Sequence, residues 1–283
     1  FCAAMPDVVN ALRIDRVADC DAFTGRALRT PHGRLFGGQT LAQSLMAAAQ
    51  TTASGNRVHS LQASFILPGS IDHDILFEVE KVRDGRSFQT RSVKARQGNR
   101  VLCLSQVSFH KPEPGYEMQV SLRSLLAAPL PTPEELLSQG AELYDAGHTR
   151  GIERLPVASG EDWHVLYCRA PGVKIAEKDW VTQCGILAYF TDFAMVATAR
   201  LPHLRGKDHS ERFGMTLTLD HSIHFHRPDL VDVCRWLVVH LRTTAAQGAR
   251  GLVESKFYDP VSEVLLASCL QETLIRPVRG AAL

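Results

Sequence analysis

The chain has 283 residues, 45% of them hydrophobic, which is enough for one large or two modest cores, with two slightly favoured. Its 31 lysines and arginines nearly balance 30 aspartates and glutamates, and a net charge of +1 gives no field to draw nucleic acid or an acidic membrane surface. Seven cysteines, at 2, 20, 103, 168, 184, 234 and 269, make no CxxC pair or zinc-ribbon spacing, and they read as buried free thiols of a reducing cytoplasm.

At the start, FCAAMPDVVNALRIDRV carries charges too early for a secretory signal, and Met5 is read as the natural start. A helix is expected after Gly37-Gly38, over QTLAQSLMAAAQTT. Strands follow at HSLQASFILPG, ILFEVEKVR, SFQTRSVKARQ and RVLCLSQVSFH, with turns at Asp84-Gly85 and Gln97-Gly98-Asn99. Gly37-Gly38 lacks the spacing of a dinucleotide or P-loop fingerprint, yet it can open a helix whose N–H groups donate to an anionic oxygen. Residues 112–165 read as a proline-rich link between two domains, 7–111 and 166–279, with Pro133-Glu134-Glu135 opening a short helix inside it.

Beyond the link a second helix is expected at TQCGILAYFTDFAMVATA, then strands at TLTLDHSIHFHRP, RWLVVHLRTT, GLVESKFYDP and EVLLASCLQETLIR. The apolar run Cys184–Ala199 is broken by Asp192 and is too short and polar for a membrane span. The order of elements therefore repeats. His59-Ser60 recurs as His221-Ser222 (221 − 59 = 162), and Gln106 recurs as Gln271 at nearly the same offset (271 − 106 = 165), which indicates an internal duplication. Both helices are nearly apolar all round and rich in Ala, Gly and Ser, as suits a helix wrapped by a curved sheet. The expected fold is α+β: a tandem (double) hotdog, two antiparallel sheets each wrapping a central helix.

As one alternating strand, Thr216–Pro228 puts Thr216, Thr218, Asp220, Ser222, His224 and His226 on one face and His221 on the other with Leu217, Leu219, Ile223 and Phe225. That division, with no third ligand nearby, argues against a histidine metal site. Asp192 is the only carboxylate on a helix that should be buried, and a functional acid and a capping acid fit it about equally. Gln271 shares a face with Leu265, Ala267, Cys269, Thr273 and Ile275, where a core glutamine bonded to backbone is the simpler reading. Thr218, by pattern, is a good β-former. No G-x-S-x-G elbow occurs, and the consecutive Asp220-His221-Ser222 cannot assemble a triad by themselves.

Six motifs in order, RLFGGQTLAQSL, VHSLQASFILPG, RDGRSFQTRSVKARQ, LAYFTDF, LDHSIHFHRP and ASCLQETLIR, resemble the type II (TesB-like) acyl-CoA thioesterases over nearly the whole chain. The resemblance implies a double hotdog that hydrolyses fatty acyl-CoA thioesters to free fatty acid and CoA without metal or organic cofactor. It implies Asp192, Thr218 and Gln271 as catalytic residues, Asp192 acting as base on water or attacking directly through an anhydride. Gly37, Gly38 and His224 are expected at the substrate, with CoA phosphates meeting any of Arg34, Arg86, Arg227 or Arg250. Two positions depart from the family pattern: His224 stands where Trp is usual, and Thr191 replaces Ser before Asp192. The first-half helix has no carboxylate, Asn56 stands where the offset of His59 from His221 would put a counterpart of Thr218, and only Gln106 is retained. One active site per chain is therefore expected. The alternatives are an acyl-thioester dehydratase or hydratase working through His59 or His221, and a non-catalytic acyl-CoA-binding module. The expected partners are the acyl-CoA substrate and further copies of the chain, as a dimer or tetramer that buries sheet edges. The C-terminal Arg-Gly-Ala-Ala-Leu is not a peroxisomal signal, which favours the cytoplasm.

Overall fold

The computed structural model describes residues 7–30, 33–126, 128–145, 151–176, 179–204 and 213–278; Cys2, Met5 and the C-terminal run from Arg279 lie outside them. Helix α1 (Val8–Leu12) and strands β1 (Ile14–Arg16) and β2 (Ala22–Gly25) lead to the central helix α2 (Gly37–Ala49). Strands β3 (Arg57–Phe65), β4 (Ile75–Asp84), β5 (Phe88–Gln97) and β6 (Arg100–His110) complete the first half. The link carries α3 (Pro133–Ser138), closed by a capping box in which the Thr132 hydroxyl accepts from Glu135 N and the Glu135 carboxylate accepts from Thr132 N. The second half has β7 (Tyr144–Asp145), β8 (Glu153–Ser159), β9 (Trp163–Arg169), α4 (Trp180–Thr191), α5 (Met195–Arg200), β10 (Phe213–Thr218), β11 (Asp220–Phe225), β12 (Leu237–Gln247), β13 (Arg250–Tyr258) and β14 (Leu265–Pro277). Strands β7 and β8 begin inside the stretch assigned to the link, and they pair onward to β9 and β12.

Instead of two separate sheets, the halves share one antiparallel sheet of 14 strands in the order β1-β2-β4-β5-β6-β3-β11-β14-β13-β12-β9-β8-β7, with β10 also on β14. The seam is β3 against β11, where Leu61 faces Ile223, Ser60 faces His224 and Gln62 faces Ser222. An offset of 162 carries Leu61 onto its own partner Ile223 (223 − 61), so the pseudo-two-fold axis of the duplication passes through this pair. The same offset pairs Ser60–Ser108 with Ser222–Leu270, which makes Ser268 the counterpart of Gln106 and Phe109 the counterpart of Gln271. The equivalence of Gln106 with Gln271, expected from sequence, is therefore wrong: Gln106 is exposed on the outer face and the first half has a buried phenylalanine where the second has its glutamine.

Both central helices lie in the concavity of the sheet and pack on each other, with Met46 of α2 seated on Gly185 of α4. Their contact merges the halves into one core, from Phe77 and Val107 through Leu41, Leu45, Leu187 and Phe190 to Val253 and Phe257. The two cores favoured by length thus become one, because neither helix has a polar face to turn to water. A second, smaller cluster of Leu122, Tyr167, Val238 and Tyr258 lies where the link covers the outer face of the second half. The stretch Trp180–His203 is long and apolar enough to cross a membrane, but 72% of its most apolar window is buried in the protein, as a core helix should be.

Candidate active site

Two local irregularities assemble the site, and neither has a hydropathy signature. The helix expected to run unbroken from Thr182 to Ala199 stops at Thr191. Asp192 is its C-cap, Ala194 takes a left-handed conformation at φ 61°, and α5 starts afresh at Met195. Released from the helix body, the Asp192 carboxylate turns toward the N-terminus of α2. There Phe36 occupies the N-cap and gives no side-chain hydrogen bond, so the helix needs an acceptor from elsewhere. Asp192 provides it: Gly38 N donates to Oδ2 at 2.9 Å.

The second irregularity splits the expected strand Thr216–Pro228 at Leu219. Thr218 faces Thr273 and Ser222 faces Leu270, four steps along one strand against three along β14, which is a β-bulge. The Asp220 carboxylate accepts from Glu272 N at 3.0 Å and Leu219 N donates to Glu272 O at 2.9 Å, so the ladder groups displaced by the extra residue are satisfied. One extra residue reverses the alternation. Thr218 and His221, predicted on opposite faces, both turn inward to Gln271.

Asp192, Thr218 and Gln271 therefore meet. The Thr218 hydroxyl donates to Asp192 Oδ1 at 3.4 Å, and Gln271 Nε2 donates to Thr218 Oγ1 at 3.2 Å and to Thr273 Oγ1 at 3.0 Å. Gln271 is bonded to side chains, not to the backbone that the pattern alone suggested. Asp192 is 9% exposed, and burial pushes its pKa up to about 7, against the Gly38 N–H and the Thr218 hydroxyl, which favour the charged form. Gly37 sits against the carboxylate, since a Cβ there would lie 2.8 Å from Asp192 Oδ2.

His221 is the residue that sequence reasoning undervalued. Its Nδ1 lies 2.7 Å from Gln271 Oε1 and its Nε2 2.9 Å from Thr191 Oγ1, and burial pushes its pKa down to about 4, which keeps it neutral. The signal for it was a glutamine amide among apolar neighbours, which must find a partner, and an apolar-face histidine able to be that partner. His224, expected at the acyl pocket, is exposed on the outer face opposite Ser60 and Ser268, because alternation resumes after the bulge. His59 is also outside the cluster, on Ser108 Oγ at 2.8 Å and edge-on to Phe88. Of the four candidate CoA-binding arginines, Arg227 pairs with Asp229 and Arg250 with Glu272.

The pseudo-symmetric position is filled instead of catalytic in composition. Phe109 packs edge-on against Trp180, the first residue of α4, and Arg57 lies over the same indole. The C-cap of α2 is Gln50, which offers no carboxylate.

Comparison with known proteins places these features in a family. Residues 27–110 match the acyl-CoA thioesterase N-terminal domain, and residues 159–274 match the acyl-CoA thioesterase family. The chain is 32% identical to human acyl-coenzyme A thioesterase 8 over 285 residues, covering 91% of this chain and 85% of that protein. It is 29% identical to acyl-CoA thioesterase 2 of Haemophilus influenzae, covering 95% and 97%. The solved structure of the tesB protein of Mycobacterium avium subs paratuberculosis superposes with a TM-score of 0.78 at 25% identity, covering 95% of this chain and 98% of that one. A double hotdog with both halves matched, and a relative above 30% identity along nearly its whole length, show that the chain belongs to the acyl-CoA thioesterase family.

Proposed function

We propose that the protein hydrolyses acyl-CoA thioesters at Asp192, Thr218 and Gln271. Asp192 is the general base, and a water held between Thr218 and Gln271 is the nucleophile. The observation that carries this reading is the carboxylate itself: buried, raised to about 7, and hydrogen-bonded to both Thr218 and the α2 N-terminus. A base with that pKa is ionised in a useful fraction at neutral pH and still accepts a proton readily. In the reaction the water oxygen bonds to the thioester carbonyl carbon while its proton passes to Asp192. The tetrahedral intermediate then expels CoA thiolate, which takes the proton from Asp192, leaving fatty acid and free CoA. As substrate enters, the Gln271 N–H now donated to Thr218 Oγ1 turns to the developing oxyanion. Gly37 and Gly38 supply room and a helix N-terminus beside it.

The dehydratase reading requires a histidine acid or base. His221 has both ring nitrogens engaged and is held neutral, and His59 is on the outer face, which favours hydrolysis. The test is release of free thiol from acyl-CoA esters of graded length by the purified chain, run beside water addition to an enoyl-CoA. Thiol release alone supports the reading; enoyl hydration without it contradicts the reading. We further propose a reducing, cytoplasmic setting, supported by free Cys103, Cys168, Cys184 and Cys269, whose thiols burial makes hard to ionise. A homo-oligomer, dimer or tetramer, is proposed to form through the outer sheet face, where Phe88, Leu104 and Leu270 are exposed, since the end strands β1 and β7 are short.

A further inference from the structure

We infer that His221 is a positioning residue that fixes which end of the Gln271 amide faces Thr218 and the reacting centre. The inference rests on the role proposed above for Gln271. An amide flipped end for end keeps its shape and exchanges donor for acceptor, so packing alone does not decide its direction. Here both Nε2 hydrogens are engaged, with Thr218 Oγ1 at 3.2 Å and Thr273 Oγ1 at 3.0 Å, and Oε1 is left to accept from His221 Nδ1 at 2.7 Å. A neutral imidazole has one N–H, and this contact puts it on Nδ1. His221 Nε2 then carries the lone pair and accepts from the Thr191 hydroxyl at 2.9 Å.

The result is a directed ring of hydrogen bonds: Thr191 to His221, His221 to Gln271, Gln271 to Thr218, and Thr218 to Asp192, the neighbour of Thr191. The ring can also be drawn in reverse. The Thr191 hydroxyl has Ala188 O at 2.7 Å as a rival acceptor, and a single proton cannot serve both. With that proton on Ala188, His221 would carry its N–H on Nε2 and the amide nitrogen would turn to Nδ1. The amide oxygen would then face Thr218 and draw the Thr218 proton away from Asp192. The His221 tautomer thus decides whether Thr218 serves the carboxylate, and whether an N–H or an oxygen faces the thioester. On one imidazole the two nitrogens are linked, so the partner of Nε2 sets the tautomer and the tautomer sets whether Nδ1 donates to Gln271.

The test uses the full chain, with kcat, KM and the pH profile of thiol release measured for His221→Asn, His221→Gln, Thr191→Val and Gln271→Ala, beside a thermal melt of each. Asparagine reaches the Nδ1 position and keeps the donor to Oε1, so its kcat stays within about threefold of wild type. Glutamine reaches only the Nε2 position, and its kcat falls about 10- to 100-fold with KM within about twofold. In His221→Gln the acid limb of the profile also moves to higher pH, because Asp192 loses the Thr218 hydrogen bond. The isosteric Thr191→Val removes the donor to Nε2 without a change of volume, and shows a smaller fall in the same direction. Folded His221→Gln and Thr191→Val proteins with wild-type kcat and an unmoved acid limb overturn the inference. If Gln271→Ala is inactive in that case, the role of Gln271 survives; if Gln271→Ala also turns over normally, that role falls with it.

Discussion

The backbone N–H of Gly38 donates to Oδ2 of Asp192 at 2.9 Å across 154 residues of sequence, so a carboxylate at the C-terminal end of one central helix caps the N-terminal end of the other. That contact makes the halves interdependent. The second half contributes Asp192, Thr218 and Gln271, and the first half contributes the helix end that orients the acid. It also explains how a duplicated fold has a single such cluster among the described residues: the reciprocal junction has Gln50 at the helix end and Phe109 on Trp180.

Gly38→Ala tests the junction. A Cβ there would lie 2.6 Å from Tyr189 O and 2.5 Å from the Phe36 ring, and the main-chain oxygen of a packed helix cannot move aside. The start of α2 must shift, so thiol release is expected to fall about 100-fold, with a lowered melting temperature. Full activity in Gly38→Ala would show that the junction does not orient the acid.

The raised pKa of Asp192 predicts the pH dependence of activity. The base works only when ionised, so kcat/KM rises with pH through about 7 and levels off above it. A profile rising through about 4, the ordinary range of an aspartate, contradicts this assignment.

The same shift predicts a stability cost of the opposite sign. The folded chain holds the Asp192 proton up to about 7, against 3.8 for an ordinary aspartate. The stability this gives is complete below 3.8 and lost as pH rises through about 7, where the fold must bear a buried charge. Three pH units correspond to at most about 4 kcal/mol. Asparagine never ionises, so the melting temperature of Asp192→Asn relative to wild type climbs between pH 5 and 8. A difference that stays constant over that range excludes a buried ionising carboxylate.

Asp220 holds the bulge by accepting from Glu272 N. Asp220→Ala gives that N–H over to water, at a cost of about 0.5–1.5 kcal/mol. Thr218 then loses its fixed place, and kcat falls although Asp220 points away from the cluster. Unchanged stability together with unchanged kcat contradicts a bulge-holding role.

Much of the fold was legible because its signals are periodic. The first apolar helix, the start of the second, the hairpin turns at Gly85 and Gly98 and seven of the eight expected strands stand where alternation and turn residues put them, within a few residues. The short helix α3 was readable from Pro133-Glu134-Glu135. Strands β7–β9 were missed because the prolines around them, including Pro156 within β8, mimic a link. The site was less legible because it depends on two breaks in periodicity. Threonine and leucine fit either face of a strand, so the one-residue bulge at Leu219 leaves alternation looking intact. Ala194, at φ 61°, gives no glycine to mark the helix break beside Asp192. The identities of Asp192, Thr218 and Gln271 came from family resemblance, whereas the place of His221 required the bulge to be seen.

The most direct measurement is free-thiol release from acyl-CoA by Asp192→Asn, with a thermal melt to show that the variant is folded. Asparagine keeps one oxygen for the Gly38 N–H and turns its amide N–H to the Thr218 hydroxyl, which can accept, but it cannot take a proton from water. Turnover is expected to fall at least about 1,000-fold in a protein at least as stable as wild type at pH 8. Near-wild-type turnover in the folded variant would contradict a hydrolytic centre built on Asp192.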